Sequence, residues 1–386
     1  MSGSGGTDFV GPGGTIGILG AGQLGRMLAI RARQMGYRIA VFGGDRTSPT
    51  GQVCDHCWPG NYDDEDQLRE FAEASDVVTY EFENIPLHAA EFIDRLAPVR
   101  PQTSLLKAAQ NRFLEKTALR NSGLRTAPFR MIHSAEELSA TREEFGGKVI
   151  LKSNTAGYDG KGQWSINASD DVDALWKSTG LDEAIVEQKI DFEFELSVIG
   201  GRFATGDVQL YDPFLNHHAN HILDVTVSGS DLITDSIATE AKEMATAVLE
   251  HFGVVGVLCL ELFLTADGQL LVNEIAPRPH NSGHLTIEAY NCSQFELQLR
   301  TVCGLPAVPL ERRSKSAAMA NLLGQHLPEV WSAESVNSLA NHESHLHLYG
   351  KGEARENRKV GHLTVLASDF AAAEASARSA RDHLLT

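Results

Sequence analysis

Two glutamates flanking a short turn are the residues most suggestive of chemistry. The stretch ELFLTADGQLLVNE reads as two extended runs joined at ADG, which places Glu261 and Glu274 on adjacent strands of a hairpin. Facing carboxylates repel each other, and burying them unpaired is costly. The flanks LCL and LLVN are too apolar for a pair of simply exposed strand glutamates, which is the alternative. A divalent cation between them resolves the conflict. Mg²⁺ suits the donors, because it binds through few carboxylates and completes its shell with water and substrate phosphates. Directly beyond, NEIAPRPHNSGH gathers Arg278, His280 and Asn281 behind two prolines that restrict the backbone.

Two glycine-rich turns could hold phosphate. GYDGKGQ, with Gly157, Gly160, Lys161 and Gly162, lies between two expected strands, and Lys152 ends the first of them. Backbone N–H groups in such a loop can close over polyphosphate. The spacing is not that of a Walker A motif, and a bland surface hairpin is the alternative. GAGQLG, residues 20–25, fits the G-x-G-x-x-G of a strand-to-helix turn, with Asp45 where a ribose-binding acid could stand. A nicotinamide cofactor or another phosphate-bearing ligand could use that turn, or it could serve strand–helix packing alone.

The elements around these residues alternate. TIGIL, YRIAVFG and DVVTYEFE read as strands, and RMLAIRARQMG and DEDQLREFAEA as the helices between them, which predicts a parallel sheet with crossover helices. That unit spans residues 15–107 after a flexible tail at 1–14. Residues 108–192 hold a helix, NRFLEKTALRNSG, and the strands KVILKSN and AIVEQKI around the glycine loop. Residues 193–386 read mainly as strands around one long helix, SIATEAKEMATAVLEHFG, and end in a small closing β-rich subdomain with HLHLYGK and VGHLTVLA.

Bulk properties narrow the choices. A net charge of −18 argues against nucleic acid or an anionic membrane as the main partner. No apolar run reaches membrane-spanning length, and the opening residues lack the pattern of a signal peptide, so a cytoplasmic location is expected. Five cysteines make a disulfide framework unexpected; Cys54 and Cys57 form a C-x-x-C without a second pair, and ordinary reduced thiols are expected. The clusters His217–His221 and His342, His345 and His347 lack carboxylates at metal-binding spacing and are not expected to bind zinc.

The motifs GILGAGQLGRM, TYEFEN, GYDGKGQ, ELSVI and NEIAPRPHNSGHLTIEAYNCSQFELQLR resemble those of the N5-carboxyaminoimidazole ribonucleotide synthetases, the ATP-grasp carboxylases of purine biosynthesis, with matches from about residue 15 to residue 365. The resemblance implies an α/β ATP-grasp fold with a Rossmann-like parallel-sheet domain before it. It also implies carboxylation of aminoimidazole ribonucleotide by bicarbonate through carboxyphosphate, with ATP and Mg²⁺ as cofactors. A formate-using ligase of the same superfamily would share the metal pair. On matching positions, Arg112 and Lys152 would contact ATP phosphates, with the loop glycines and Lys161 closing over them. Glu187 and Lys189 would lie at the adenine-side hinge and Glu195 on the ribose. Glu261 and Glu274 would hold the metal. Gly20, Gly22, Gln23 and Leu24 would meet the ribonucleotide phosphate in place of a dinucleotide. Glu81, Tyr158, Asp159, Arg278, His280, Asn281, Lys351 and Arg358 would line the ribonucleotide and bicarbonate pocket, with Asp159 and His280 as candidates for taking the amine proton. The family also suggests a homodimer, with the mutase of the next step as a separate chain. Three departures stand out: Ala21 in place of a glycine, Leu215 where ENxH carries glutamate, and ARENRKVGH where ARPGRKMGH is usual.

Overall fold

The structure is a computed structural model, and it describes residues 9–155, 162–327 and 344–385. Three sheets organise the chain. The first has the order β3-β2-β1-β4 and is parallel throughout, built from β1 (Thr15–Leu19), β2 (Arg38–Phe42), β3 (His56–Trp58) and β4 (Val77–Tyr80). All residues of β1 and β4 are buried, as expected where helices cover both faces of a parallel sheet. The helix Gln23–Gln34 follows β1 directly and ends before Gly36, whose φ of 87° lets the chain turn back into β2.

The second sheet is antiparallel, with β5 (Phe129–Ile132), β6 (Val149–Ser153), β7 (Gln163–Ile166) and β8 (Ala184–Gln188) in the order β5-β8-β6-β7. The helix Arg112–Asn121 precedes it, capped by the Asn111 side chain on the amide of Leu114.

The third sheet has nine strands: β9 (Phe192–Arg202), β10 (Val208–Leu210), β11 (Phe214–Ala219), β12 (Ile222–Ser228), β13 (Gly256–Thr265), β14 (Leu270–Ala276), β15 (Ser316–Leu323), β16 (Ser344–Leu348) and β17 (Lys359–Ala367). Its main path runs β14-β13-β9-β11-β12-β15-β17-β16, with β10 paired to β9. The closing β-rich region expected as a small subdomain therefore continues the large sheet, because β15 pairs with β12 from Val225↔Ala320 to Ser228↔Ala317. The helix Phe370–Asp382 covers that end with Ala373, Ala377 and Ala380. Small residues at this spacing let the helix lie close to the strands.

The helix Gln294–Val302 joins the large sheet to the N-terminal one. Phe295, Leu299 and Val302 pack into the core beneath β1 and β2, and Leu297 faces the opposite core. Gln298 fixes the junction, accepting from the amide of Val257 at 2.6 Å and donating to Thr79 Oγ1 at 2.8 Å. Among the described residues no helix is long and apolar enough to cross a membrane.

Candidate active site

Glu261 and Glu274 are direct partners across the β13–β14 hairpin, and a bulge follows Glu261. A bulge re-aims side chains locally. Each carboxylate has a nitrogen partner: Arg112 Nη1 lies 3.1 Å from Glu274 Oε2, and His280 Nε2 lies 3.1 Å from Glu261 Oε1. Burial pushes the Glu261 carboxyl up, but His280, His218 and Arg278 outweigh it and hold it at about 2. The Glu261 carboxyl thus stays anionic, as a cation site requires, and a bound cation would replace the contacts to Arg112 and His280. Among the described residues no cluster of three or more His, Cys, Asp or Glu side chains is grouped to hold a metal. Two carboxylates alone fit Mg²⁺ that completes its shell from phosphate and water.

Behind Glu274 lies a buried ionic group that is not apparent in the sequence. Glu187, on β8, receives Lys116 Nζ at 2.9 Å on one oxygen and Lys152 Nζ, from β6, at 3.0 Å on the other. Burial raises the Glu187 carboxyl, and the two lysines bring it down to about 2. Its carboxylate thus pairs with both lysines at the position that the resemblance assigns to the adenine-side hinge. Lys189, beyond the end of β8, is exposed and reaches Ser165 Oγ at 3.4 Å. Lys116 also donates to the carbonyl of Asn273, which ties the helix Arg112–Asn121 to the strand that carries Glu274.

Glu115, on the same helix, accepts from the amide of Ile275 at 3.0 Å. Burial, and then the neighbouring Glu274 charge, push its carboxyl up to about 8. A folded-state pKa above the ordinary 4.5 means that the folded chain binds this proton more tightly than the unfolded chain. The associated stability is complete below pH 4.5 and is lost as the pH rises toward about 8. Glu115→Gln keeps the acceptor without the titration. The melting temperature of the variant is therefore expected to gain on the parent across that window and then level off. A difference that is flat with pH would remove this carboxyl from the account.

The second half of the site lies where the N-terminal sheet meets the segment after β14. Arg278 forms an ion pair through Nε with Glu83, and its amide donates to the carbonyl of Ala276 at 2.9 Å. Burial disfavours the guanidinium charge, but Glu83 more than restores it. His280 is held by Ser282, with Nδ1 at 2.9 Å from Oγ, and its amide donates to Gln294 Oε1 at 2.8 Å. Those bonds aim Nε2 at Glu261, so one imidazole links the carboxylate pair to the second pocket. Next to it, both polar atoms of the Asn281 side-chain amide are buried without a protein partner. Such a group calls for a ligand or water.

Glu81 follows β4 and accepts from the amides of Gly22 and Gly25, at the start of the helix Gln23–Gln34. Burial raises its carboxyl overall, against the pull of those amides and of Arg278 and Lys351. The turn needs its glycine, since a Cβ at Gly22 would fall 2.7 Å from Glu81 Oε1. Gly20, with φ of 98°, precedes this turn, and Gln23 and Leu24 open the helix beside it. Lys351 lies over the Tyr349 ring and donates to the carbonyl of Lys359 at 2.6 Å. Arg358 is exposed and donates to the carbonyl of Glu353 at 3.1 Å within the same loop. Asn357 takes φ of 60° where the related motif has glycine, so the altered turn keeps a left-handed residue in the side chain type that best tolerates it.

The remaining positions singled out in the sequence have the following surroundings. Asp45 accepts through Oδ1 from the amides of Thr47 and Ser48 and from Thr47 Oγ1, so it closes its own exposed loop. Leu215 is fully buried in the main core, where a glutamate would be costly. Glu195 forms an ion pair with His218, whose imidazole stays protonated to higher pH because Glu195 overcomes its burial. His217 goes to a different carboxylate, Glu374, and His347 to Glu288 at 2.7 Å. Gly157, Tyr158, Asp159, Gly160, Lys161 and His342 lie outside the described residues, while Gly162 has φ of 70° at the foot of β7. Sequence reasoning missed Glu83, Glu115, Lys116 and Ser282 as supports. Glu83 stood in the quoted TYEFEN and carried a signal; Lys116 and Glu115 looked like surface charges of an ordinary helix.

Comparison with known proteins matches three family models along the chain. Residues 14–110 match the ribonucleotide synthetase preATP-grasp domain, 117–295 the ATP-grasp domain, and 317–376 the phosphoribosylaminoimidazole carboxylase C-terminal domain. The chain is 42% identical to the N5-carboxyaminoimidazole ribonucleotide synthase of Brucella melitensis, over 92% of this chain and 96% of that protein. It is 41% identical to the bifunctional purine synthesis protein purC/E of Dictyostelium discoideum, of whose length it spans 37%. A crystal structure of an N5-carboxyaminoimidazole ribonucleotide synthetase with ADP superposes with a TM-score of 0.90 at 39% identity, covering 97% of this chain and 98% of that one. The Aspergillus clavatus enzyme in complex with ADP and 5-aminoimidazole ribonucleotide gives 0.84 at 28% identity, over 96% and 98%.

Proposed function

We propose residue roles for this chain on the premise that it belongs to the N5-carboxyaminoimidazole ribonucleotide synthase family of ATP-grasp ligases. It carries out the ATP-dependent carboxylation of 5-aminoimidazole ribonucleotide in purine biosynthesis. The observation that carries the role assignment is the His280–Glu261 contact, which joins the carboxylate pair to the pocket holding Arg278 and Asn281.

In this reading Arg112 and Lys152 bind the phosphates of ATP, with Lys152 kept in place by Glu187. Mg²⁺, held by Glu261 and Glu274, would neutralise charge on those phosphates. A bicarbonate oxygen attacks the γ-phosphorus, and ADP leaves. Arg278 and the His280 imidazole stabilise the resulting carboxyphosphate, whose charge is anionic throughout. The ribonucleotide amine takes the carboxyl carbon, phosphate departs with the bicarbonate oxygen, and the amine proton passes to His280 or Asp159. Asn281 and Lys351 orient the ribonucleotide. Its phosphate meets the amides of Gln23 and Leu24, because Glu81 already holds those of Gly22 and Gly25. Carboxyphosphate hydrolyses readily, so the buried setting of Arg278 and His280 also serves to exclude water. The resemblance further supports a homodimer working in the cytoplasm.

Label transfer tests the route. With bicarbonate labelled in heavy oxygen, the released phosphate is expected to carry one labelled oxygen per turnover in the presence of the ribonucleotide. Unlabelled phosphate alongside normal product would rule out carboxyphosphate.

A further inference from the structure

The C-x-x-C pair lies outside the machinery described above, at the open edge of the N-terminal sheet. Cys57 is the middle residue of β3, an edge strand that among the described residues pairs only with β2. Cys54 follows the turn Gly51–Val53 and packs into the core beneath β1 and β2. Their sulfurs stand 2.8 Å apart. That is closer than unbonded sulfurs ordinarily sit, and longer than the covalent bond of about 2.05 Å. The backbone around them is clamped. Arg46 donates to the carbonyls of Cys54 and Asp55, and the Asp55 carboxylate accepts from the amide of Ile39 at 2.8 Å and pairs with Arg33. The two thiols are therefore brought together by the fold, beyond what their spacing in the chain requires.

The two positions differ in access. Of the five cysteines, Cys57 is the one that is not buried. Burial, reinforced by the hydrogen bond with Cys57, pushes the Cys54 thiol up to about 12. A half-buried sulfur backed by a buried one is the arrangement of an attacking and a resolving thiol.

We infer that Cys54 and Cys57 form a reversible dithiol–disulfide site that exchanges with small disulfides of the glutathione class. The Cys57 thiol loses its proton to solvent, and its thiolate attacks one sulfur of the small disulfide. That disulfide bond breaks, and the first small thiolate leaves and takes up a proton. Cys54 then attacks Cys57 Sγ in the mixed disulfide, its proton passing to the second departing thiolate. Two protein thiols and one small disulfide give one protein disulfide and two small thiols, so electrons and protons balance.

Peptide mapping of the full-length chain tests this. Cleavage after Arg46 and Arg69 leaves both cysteines in one tryptic peptide that contains no other. After the native protein is equilibrated with oxidised glutathione and then alkylated, this peptide is expected without alkyl groups and lighter by two hydrogens, and reduction restores both alkylation sites. In Cys54→Ser the resolving thiol is gone, and one glutathione adduct is expected to accumulate on Cys57. The inference is overturned if the native wild-type peptide is alkylated at both cysteines after this treatment, if the disulfide forms only in urea, or if Cys54→Ser gathers no adduct on Cys57.

Discussion

Glu274→Gln is expected to slow phosphate release from ATP by about a hundred- to a thousand-fold, the range seen when one group that stabilises developing charge is removed. The amide keeps the shape of the side chain but gives up its charge. It leaves Arg112, 3.1 Å away, without its carboxylate, and it leaves a cation only Glu261. The Glu274 side chain is 39% exposed and glutamine matches its shape, so the substitution creates no cavity. Folding should accordingly be close to that of the parent, and a melting curve run beside the turnover assay separates the two effects. Near-parent turnover by a well-folded variant would show that this carboxylate does not serve the phosphates.

Glu187→Gln is expected to act in the opposite way, through stability. Lys116 and Lys152 are both nearly inaccessible, with side-chain exposures of 3% and 10%, and Glu187 pairs with both. Removing one partner of a buried ion pair typically costs about 3–5 kcal/mol, because the remaining charge stays desolvated. A fall of that order in unfolding free energy, read from urea titration near neutral pH, is the expected result. The pH dependence has a definite sign. The carboxyl is held at about 2 in the folded chain against an ordinary 4.5, so its contribution is fully present above pH 4.5 and is lost as the pH falls toward about 2. The gap between parent and variant should therefore narrow in acid. Equal midpoints at neutral pH would mean that the two lysines find compensation elsewhere.

What could be read from the chain beforehand was local. Glu261 and Glu274 were legible because a short hairpin fixes their pairing, and TIGIL followed by GAGQLG because a strand, a turn and a helix adjoin. The supports were not legible, since they join distant positions: Arg278 to Glu83, Lys116 to Glu187, His218 to Glu195. Nothing in a single sequence states which lysine meets which carboxylate across a fold. The edge strand β3 has only three residues, too few for a period to show. Asp45 stood at a plausible distance for a ribose contact, yet aspartate at such a place also closes turns, and that local bond prevailed. The continuity of the C-terminal strands with the large sheet depends on the β12–β15 pairing, which links segments that no hydrophobic pattern connects.

That continuity has a mechanical consequence. The carboxylate pair lies at one margin of the nine-stranded sheet, on β13 and β14, and the loop carrying Lys351 connects β16 and β17 at the other. An unbroken ladder of hydrogen bonds spans the distance between them, so the two cannot drift apart without shearing it. The large sheet is thus a chassis of fixed width. The four-stranded sheet that bears Lys152 is not part of that ladder, so its distance from the carboxylate pair is not fixed by strand pairing.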